Sequence, residues 1–171
     1  FAPKSTIAES YRSLRTGVEF IAAERQMKII AITSSSMREG KTTISCNFAM
    51  ASAQIGKKVL LIDADLRKPM VNKMFGLERE PGLSDVILGN YNWDEVIKTD
   101  TDIMMGKMGM EDITTTAPGI NNLNIITSGL IPPNSSELLN SSRLSEILSQ
   151  VESSYDIVLL DCSPVLPTTD A

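Results

Sequence analysis

The stretch Ile29-Ile30-Ala31-Ile32, followed by Ser34-Ser35-Ser36-Met37-Arg38-Glu39-Gly40-Lys41-Thr42-Thr43, decides the fold of this chain. An apolar run, a Gly-Lys-Thr turn and then a helical pattern are typical of a strand, a phosphate-binding loop and a helix. In such a loop, backbone N–H groups surround the phosphates, a lysine contacts the β- and γ-phosphates, and a threonine binds Mg²⁺. The standard spacing of such a loop would place a glycine where Ser35 stands. The prediction therefore depends more on the strand before the loop and the helix after it than on an exact match to the motif.

The size and composition of the chain limit its class. Its 171 residues are 42% hydrophobic, which predicts a single domain over residues 1–171 with one substantial core. The net charge of −5, without a basic block, argues against a nucleic-acid partner. No apolar run approaches the roughly 20 residues that span a bilayer, and no signal-peptide pattern opens the chain, so we expect a soluble, unsecreted domain. Histidine is absent, so acid–base chemistry must rest on carboxylates or lysines.

The hydrophobic pattern predicts alternating strands and helices. Helices are expected over residues 5–24, 41–55 and 134–153, the last with Asn134 and Glu137 as a capping box. Strands are expected over residues 28–33, 58–63, 124–127 and 155–160. Residues 70–100 look like short helices joined by turns, and residues 101–122 look like a loop. This alternation predicts an α/β fold, a three-layer, doubly wound and mostly parallel sheet of the P-loop NTPase type.

Carboxylates follow two of the predicted strands. Asp63 and Asp65 come at the end of the second strand, and Asp161 ends the fourth. The carboxyl ends of strands are where α/β sheets bind ligands. Taken singly, each aspartate could be a strand-end cap or a solvated turn residue, and the loop could be a surface turn. Together with the loop, they predict one Mg-nucleotide site.

Phosphoryl transfer depends mostly on positioning and charge neutralisation, which suggests a role for each group. Backbone N–H groups of residues 36–42 would surround the phosphates, Lys41 would bridge the β- and γ-phosphates, and Thr42 would bind Mg²⁺. Asp161 fits the carboxylate that holds Mg²⁺ directly or through water. Two further carboxylates exceed what one metal needs, so one is free to orient or deprotonate a hydroxyl nucleophile. Arg67 holds phosphate, contacts a neighbouring subunit, or forms a plain surface salt bridge.

The predicted site therefore has three overlapping groups of residues. The catalytic group is Lys41, Asp63 and Asp65. The metal ligands are Thr42, Asp65 and Asp161. The nucleotide-binding group is Ser36, Met37, Arg38, Glu39, Gly40, Lys41, Thr42, Thr43 and Arg67.

Over nearly the whole chain, these motifs resemble those of the bacterial protein-tyrosine kinases, or BY-kinases. Residues 34–43 look like the Walker A loop of that family, and residues 157–161 look like its Walker B motif. The most discriminating match is residues 60–67, which resemble the Walker A′ pattern of apolar residues followed by D-x-D-x-R. Near the start of the chain, Glu9, Arg12 and Arg15 match the E-x-x-R-x-x-R subunit-contact motif of the family.

The resemblance implies an ATP- and Mg²⁺-dependent kinase that phosphorylates tyrosine hydroxyls, largely in a Tyr-rich tail of a neighbouring subunit within a homo-oligomeric ring. It implies a transmembrane activator domain, fused or separate, at the inner face of the bacterial cell membrane, and a role in polysaccharide chain length and export. The helix of residues 1–24 would mediate oligomerisation through Glu9, Arg12 and Arg15, with no part in folding. By comparison with the family, we expect the sequence to lack C-terminal strands and the Tyr-rich tail.

One departure from the family and one difference from a related class bear on the alternatives. Met37 and Arg38 stand where the family often has Pro-Gly, which makes the turn bulkier. Ser36 stands where the Min and Par positioning ATPases carry a signature lysine, which counts against that class without excluding it. The first alternative is a Min/Par-type P-loop ATPase without kinase activity. The second is a non-catalytic oligomeric interaction module.

Overall fold

A parallel four-stranded sheet forms the centre of the computed structural model, which describes residues 6–106 and 118–165. The strands are β1 (Ile29–Ile32), β2 (Val59–Ala64), β3 (Leu123–Ile126) and β4 (Ile157–Cys162). Their order across the sheet is β1-β4-β2-β3, and all three pairings are parallel. The predicted parallel α/β architecture is confirmed.

Seven α-helices surround this sheet in the described residues. They are α1 (Thr6–Arg25), α2 (Lys41–Ala53), α3 (Val71–Phe75), α4 (Leu83–Ile87), α5 (Asp100–Gly106), α6 (Ser135–Leu139) and α7 (Ser142–Ser154). Two short 3₁₀ turns cover Trp93–Val96 and Ile120–Asn122. Among the described helices, none combines the length and apolarity needed to cross a bilayer.

Two hydrophobic cores lie on opposite faces of the sheet, because side chains alternate along each strand. Leu61 of β2 packs into the core that contains Phe48 of α2. Leu60 of β2 packs into the other core, with Val151 of α7. All six residues of β2 are buried, as expected for a central strand covered on both faces. Helices on both faces confirm the predicted three layers.

The strand register brings the acidic motifs together at one edge. In the β2–β4 pair, Asp63 lies beside Asp161, and in the β1–β4 pair Asp161 lies beside Ile32. The loop after β1 and the carboxylates of β2 and β4 therefore meet at the carboxyl edge of the sheet.

Two predicted helical features differ in the structure. The single helix expected over residues 134–153 is instead α6 and α7, separated at Asn140 and Ser141. The expected capping box is also wrong, because the Asn134 side chain accepts no hydrogen bond from the backbone at the start of α6. Its amide instead donates to the Glu137 carboxylate (3.1 Å).

The segment expected to be a loop, residues 101–122, also differs. It contains most of α5, whose Ile103 is fully buried in the core, and the 3₁₀ turn Ile120–Asn122. Residues 107–117 lie outside the described part of the chain. Packing of Ile103 into the core stabilises the short helix α5, since most helical stability in proteins comes from tertiary contacts.

Helix α1 turns a different face to the core from the predicted one. Val18 packs against the core, but Ile7, Leu14 and Ile21 are exposed. The inward face instead carries Ala8, which is fully buried, and Arg15. On this face, Arg15 Nη1 donates a hydrogen bond to the Ala51 carbonyl of α2 (2.9 Å).

Candidate functional site

The loop between β1 and α2 turns sharply so that α2 begins at Lys41. Gly40 precedes the helix with φ of 86°, a left-handed conformation that favours glycine. Arg38 also has a positive φ, of 64°, which is uncommon for a residue with a Cβ. Because the free N–H groups at a helix N-terminus attract anions, this geometry presents the start of α2 as a phosphate site.

Lys41 is held by a carboxylate from the neighbouring strand. Its Nζ lies 2.6 Å from Asp65 Oδ2, and the two side chains are only 12% and 4% exposed. Burial pushes the pKa of Asp65 upward, but the bond from Lys41, with those from the Lys68 N–H and the Ser163 hydroxyl, holds it below its usual value. Asp65 is therefore ionised at neutral pH beside the lysine.

Thr42 pairs with the third aspartate. Its hydroxyl donates to Asp161 Oδ2 (2.6 Å), while Ser45 Oγ lies 3.0 Å from Oδ1 of the same carboxylate. Burial raises the pKa of Asp161, and the hydrogen bond from Thr42 and the charge of Lys41 offset part of that rise. Ser45 was not predicted, although its i+4 spacing from Lys41 places it on the same face of α2.

Asp63 is fully buried, and backbone groups occupy its two oxygens. The Asp65 N–H donates to one oxygen (3.2 Å) and the Val71 N–H to the other (3.0 Å). Burial raises its pKa to about 7, although the bond from Val71 works in the opposite direction. Asp63 therefore fixes the path of the chain from β2 to α3.

Glu39 closes the loop on itself. Its carboxylate accepts hydrogen bonds from the Ser35 hydroxyl (2.8 Å) and from the Ser36 N–H (3.1 Å). The bond from the Ser36 N–H is the main reason that the pKa of Glu39 lies below its usual value. The Ser36 N–H, predicted to contact phosphate, is thus paired within the loop.

A cavity of 650 Å³ lies over the start of α2, within the size range of small-molecule sites. Most of the predicted nucleotide-binding residues line it, and so does Asp65; the exceptions are Ser36 and Glu39. Asp63 and Asp161 lie outside its lining. The further lining residues, which were not predicted, are Lys68, Met70, Met74, Ser163 and Pro164. Only Ser163 had a signal, since it follows Asp161 closely in the sequence.

The side-chain oxygens at this site suit Mg²⁺, which takes some of its ligands from a substrate, better than a metal ion whose ligands all come from the protein. No cluster of three or more Cys, His, Asp or Glu side chains that could hold a metal occurs within residues 6–106 and 118–165. The nearest candidates are the oxygens of Thr42, Asp65 and Asp161. Mg²⁺ prefers oxygen ligands and is usually bound by one or two carboxylates together with substrate phosphates and water. The residues therefore fit this ion when a nucleotide is present.

The remaining predicted residues lie around this centre. Arg67 lines the cavity and donates to Ser136 Oγ (3.3 Å); it forms no ion pair with any residue that the structure describes. Glu9 and Arg12 pair with each other on α1. Arg15 makes its hydrogen bond inside the chain, which differs from the expectation that it has no part in folding.

A parallel α/β sheet with a loop-to-helix phosphate site at its carboxyl edge defines a P-loop nucleotide-binding protein. The chain belongs to the AAA domain family, whose model matches residues 27–170. Its curated relatives include the tyrosine-protein kinase YwqD of Bacillus subtilis, which is 40% identical over 169 residues. That alignment spans 99% of this chain and 64% of YwqD, so the chain covers less than two thirds of the relative's length.

Solved structures similar to this chain also include a tyrosine kinase domain. The kinase domain of the Escherichia coli tyrosine kinase ETK superposes with a TM-score of 0.82 at 32% identity, covering 99% of this chain and 59% of that one. The septum site-determining protein MinD of Pyrococcus horikoshii, complexed with Mg-ADP, superposes with a TM-score of 0.61 at 25% identity, over 81% of this chain and 50% of that one. The chain is therefore more similar to the tyrosine kinase domain than to the positioning ATPase.

Proposed function

We propose that the chain is the catalytic part of an ATP-dependent protein-tyrosine kinase. The observation that carries this proposal is the position of Asp65, which lines the nucleotide cavity and is paired with the loop lysine. An ATPase that only hydrolyses ATP must position a water molecule. A carboxylate beside the γ-phosphate can instead receive the hydroxyl of a protein substrate.

Each residue has a defined part in the proposed transfer. Lys41 leaves Asp65 and contacts the β- and γ-phosphates, while N–H groups at the start of α2 bind phosphate oxygens. Asp65 accepts a hydrogen bond from the tyrosine hydroxyl, whose oxygen forms the new bond to the γ-phosphorus as the bond from that phosphorus to the β–γ bridging oxygen breaks. ADP leaves with the bridging oxygen, and the hydroxyl proton passes to the Asp65 carboxylate late in the transfer. The low pKa of Asp65 is sufficient for this role. In a loose transition state the tyrosine hydroxyl must be oriented, and it need not lose its proton early.

Asp63 acts as a positioning residue in this proposal. It lies outside the cavity lining, and its two oxygens are held by backbone N–H groups. It keeps Asp65 in place through the turn that follows β2. Mg²⁺, held by Thr42 with Asp65 and Asp161, would neutralise charge on the phosphates.

The wider setting is proposed from the relatives and from the family resemblance. We infer a homo-oligomer in which Glu9, Arg12 and Arg15 of α1 form the subunit contact. Arg15 also binds the Ala51 carbonyl within its own chain. We also infer a transmembrane activator, fused or separate, which places the kinase at the inner face of the bacterial membrane. Its role there is in polysaccharide chain length and export.

The similarity to MinD favours one second candidate, a P-loop ATPase without kinase activity. Ser36 stands where that class carries its signature lysine, which counts against this candidate. A third candidate, the non-catalytic oligomeric module, has less support because Lys41, Thr42 and Asp65 all line the cavity.

The deciding experiment incubates the full-length protein with labelled ATP and measures phosphotyrosine. Lys41→Met is expected to lower its formation at least about 100-fold, because the main cation at the transferred phosphoryl group is lost. Lys57→Met, which changes an exposed lysine before β2, is the matched control and should retain activity. Phosphate release without phosphotyrosine would instead support the ATPase, and an intact oligomer with no response to Mg-ATP would support the module.

A further inference from the structure

A second depression, of 670 Å³, opens beside the nucleotide cavity. The two share Arg67, Lys68 and Met70, so they adjoin each other. We call this depression the cationic groove. Beyond the shared residues, its lining includes Lys73 on α3 and Arg79 after α3.

The charge of this groove is opposite to that of the whole chain. Four cationic side chains line it, namely Arg67, Lys68, Lys73 and Arg79, against the two carboxylates of Glu78 and Glu80. The chain as a whole carries a net charge of −5. A local excess of positive charge on an acidic protein favours an anionic partner at this place.

The cations of the groove have capacity for further partners. Arg67, Lys68 and Lys73 are exposed, and none forms an ion pair within the described part of the chain. Arg79 pairs with Glu80 through Nη2 (2.8 Å), but its buried Nε has no hydrogen-bond partner among the described residues. The Arg79 side chain is still 38% exposed, and the fork of a guanidinium can bind a further carboxylate.

Exposed methionines line the nucleotide cavity beside the cationic side chains. Met70, which lines both depressions, is 42% exposed, and Met74 and Met37 of the nucleotide cavity are 44% and 38% exposed. Thioethers make favourable contacts with aromatic rings. An aromatic side chain that contacts these methionines would share the cavity with Asp65.

We propose that the cationic groove binds acidic residues on one side of the acceptor tyrosine, so that this site selects tyrosines in acidic segments. The tyrosine ring lies on Met70 and Met74, and the flanking carboxylates pair with Lys73 and Arg79. This inference rests on the proposed kinase function, because only a protein substrate would extend out of the nucleotide cavity.

The test measures binding and turnover separately in the full-length protein. Fluorescein-labelled peptides carry one tyrosine with glutamates before it, glutamates after it, or glutamines in their place. With ADP present, one of the glutamate peptides should bind more tightly than the glutamine peptide. The pair Lys73→Ala with Arg79→Ala should weaken that peptide roughly fivefold to tenfold and leave ADP affinity unchanged.

The matched control is Arg25→Ala with Lys57→Ala, which removes the same charge from exposed positions near the amino ends of β1 and β2. It should leave binding of the glutamate peptide unchanged. Lys73→Ala alone changes one exposed helical residue, so it reports on the groove if the double variant folds poorly. The ratio of kcat/KM for the glutamate and glutamine peptides should fall with the affinity.

Three outcomes would overturn the inference. The glutamate and glutamine peptides could bind equally, the control pair could lose as much affinity, or vesicles of phosphatidylglycerol and phosphatidylcholine could bind this groove while the peptides do not. Failure of the proposed function looks different. In that case the glutamate peptide still binds in a manner that depends on Lys73, but no peptide is phosphorylated.

Discussion

Two aspartates only two positions apart have opposite environments. Asp63, the last but one residue of β2, is fully buried and bonded to backbone, whereas Asp65 follows the strand and opens onto the cavity. Burial without a cation raises the pKa of Asp63 to about 7, while Lys41 beside Asp65 keeps its pKa low. The D-x-D pattern therefore supplies one structural carboxylate and one that can meet a substrate.

The ion pair between Lys41 and Asp65 leads to a prediction about nucleotide binding. Asp65→Asn should lower the stability of the nucleotide-free protein by about 2 kcal/mol, because a nearly buried lysine loses its partner. The same change should increase the stabilisation by Mg-free ADP, since Lys41 becomes free for the phosphates and one repelling charge is gone. Thermal unfolding with and without ADP measures both effects.

The control for this variant is Asp94→Asn, which neutralises an exposed carboxylate in the 3₁₀ turn Trp93–Val96. It should change neither quantity by more than about 0.5 kcal/mol. A smaller ADP effect in Asp65→Asn than in the unmodified protein would show that Asp65 assists nucleotide binding and does not compete for Lys41.

Helix α2 is fixed at both ends. Its first residues carry the phosphate site, and backbone N–H groups from the following turn bind the last carbonyls of Met50, Ser52 and Ala53. The carbonyl of Ala51 is bound by Arg15 of α1 (2.9 Å). A cation at a helix C-terminus is also favoured by the helix dipole. Helix α1 thus contributes to holding the element that presents Lys41 and Thr42.

This contact predicts that Arg15→Ala lowers the free energy of unfolding by about 1.5–3 kcal/mol, the usual range for a hydrogen bond that involves a charged group. Arg25→Ala removes the same charge from the exposed end of α1 and should cost less than about 0.5 kcal/mol. Denaturant unfolding of a concentration series separates this loss from any change in assembly. Equal stability of the two variants would show that the bond to Ala51 contributes nothing measurable.

The sequence predicted the positions of those helices and strands whose hydrophobic pattern is clear. The four strands and the helices α1 and α2 carry clear periodicity, and their positions were predicted to within a few residues. The break between α6 and α7 was missed because Leu138, Leu139 and Leu144 continue an apolar pattern across it. The buried face of α1 was also predicted wrongly. Arg15 lies on that face and bonds to α2, but a prediction from hydrophobic periodicity places an arginine on the solvent-exposed side.

At the scale of the molecule, sheet order explains why motifs far apart in sequence form one site. Thr42 and Asp161 are 119 positions apart, yet the order β1-β4-β2 makes their strands neighbours. Three apolar runs that each lead into a polar motif were enough to predict this convergence. Lys68, Met70 and Met74 were not predicted, because they come from the turn after β2 and from the short helix α3, whose path depends on tertiary contacts such as that of Asp63 with Val71.

Ligand binding at this edge should stabilise the whole sheet, because the loop, α2 and three strands meet there. At a hundredfold excess over Kd, Mg-ADP should add about 2.7 kcal/mol, or about 5–10 °C in Tm for a domain of this size, to the full-length protein. Thr42→Ala should keep the effect of ADP alone but lose the further gain from Mg²⁺, because the hydroxyl beside Asp161 is removed. Thr42→Ser retains a hydroxyl and should restore that gain. An undiminished Mg²⁺ effect in Thr42→Ala would place the ion away from the Thr42–Asp161 pair.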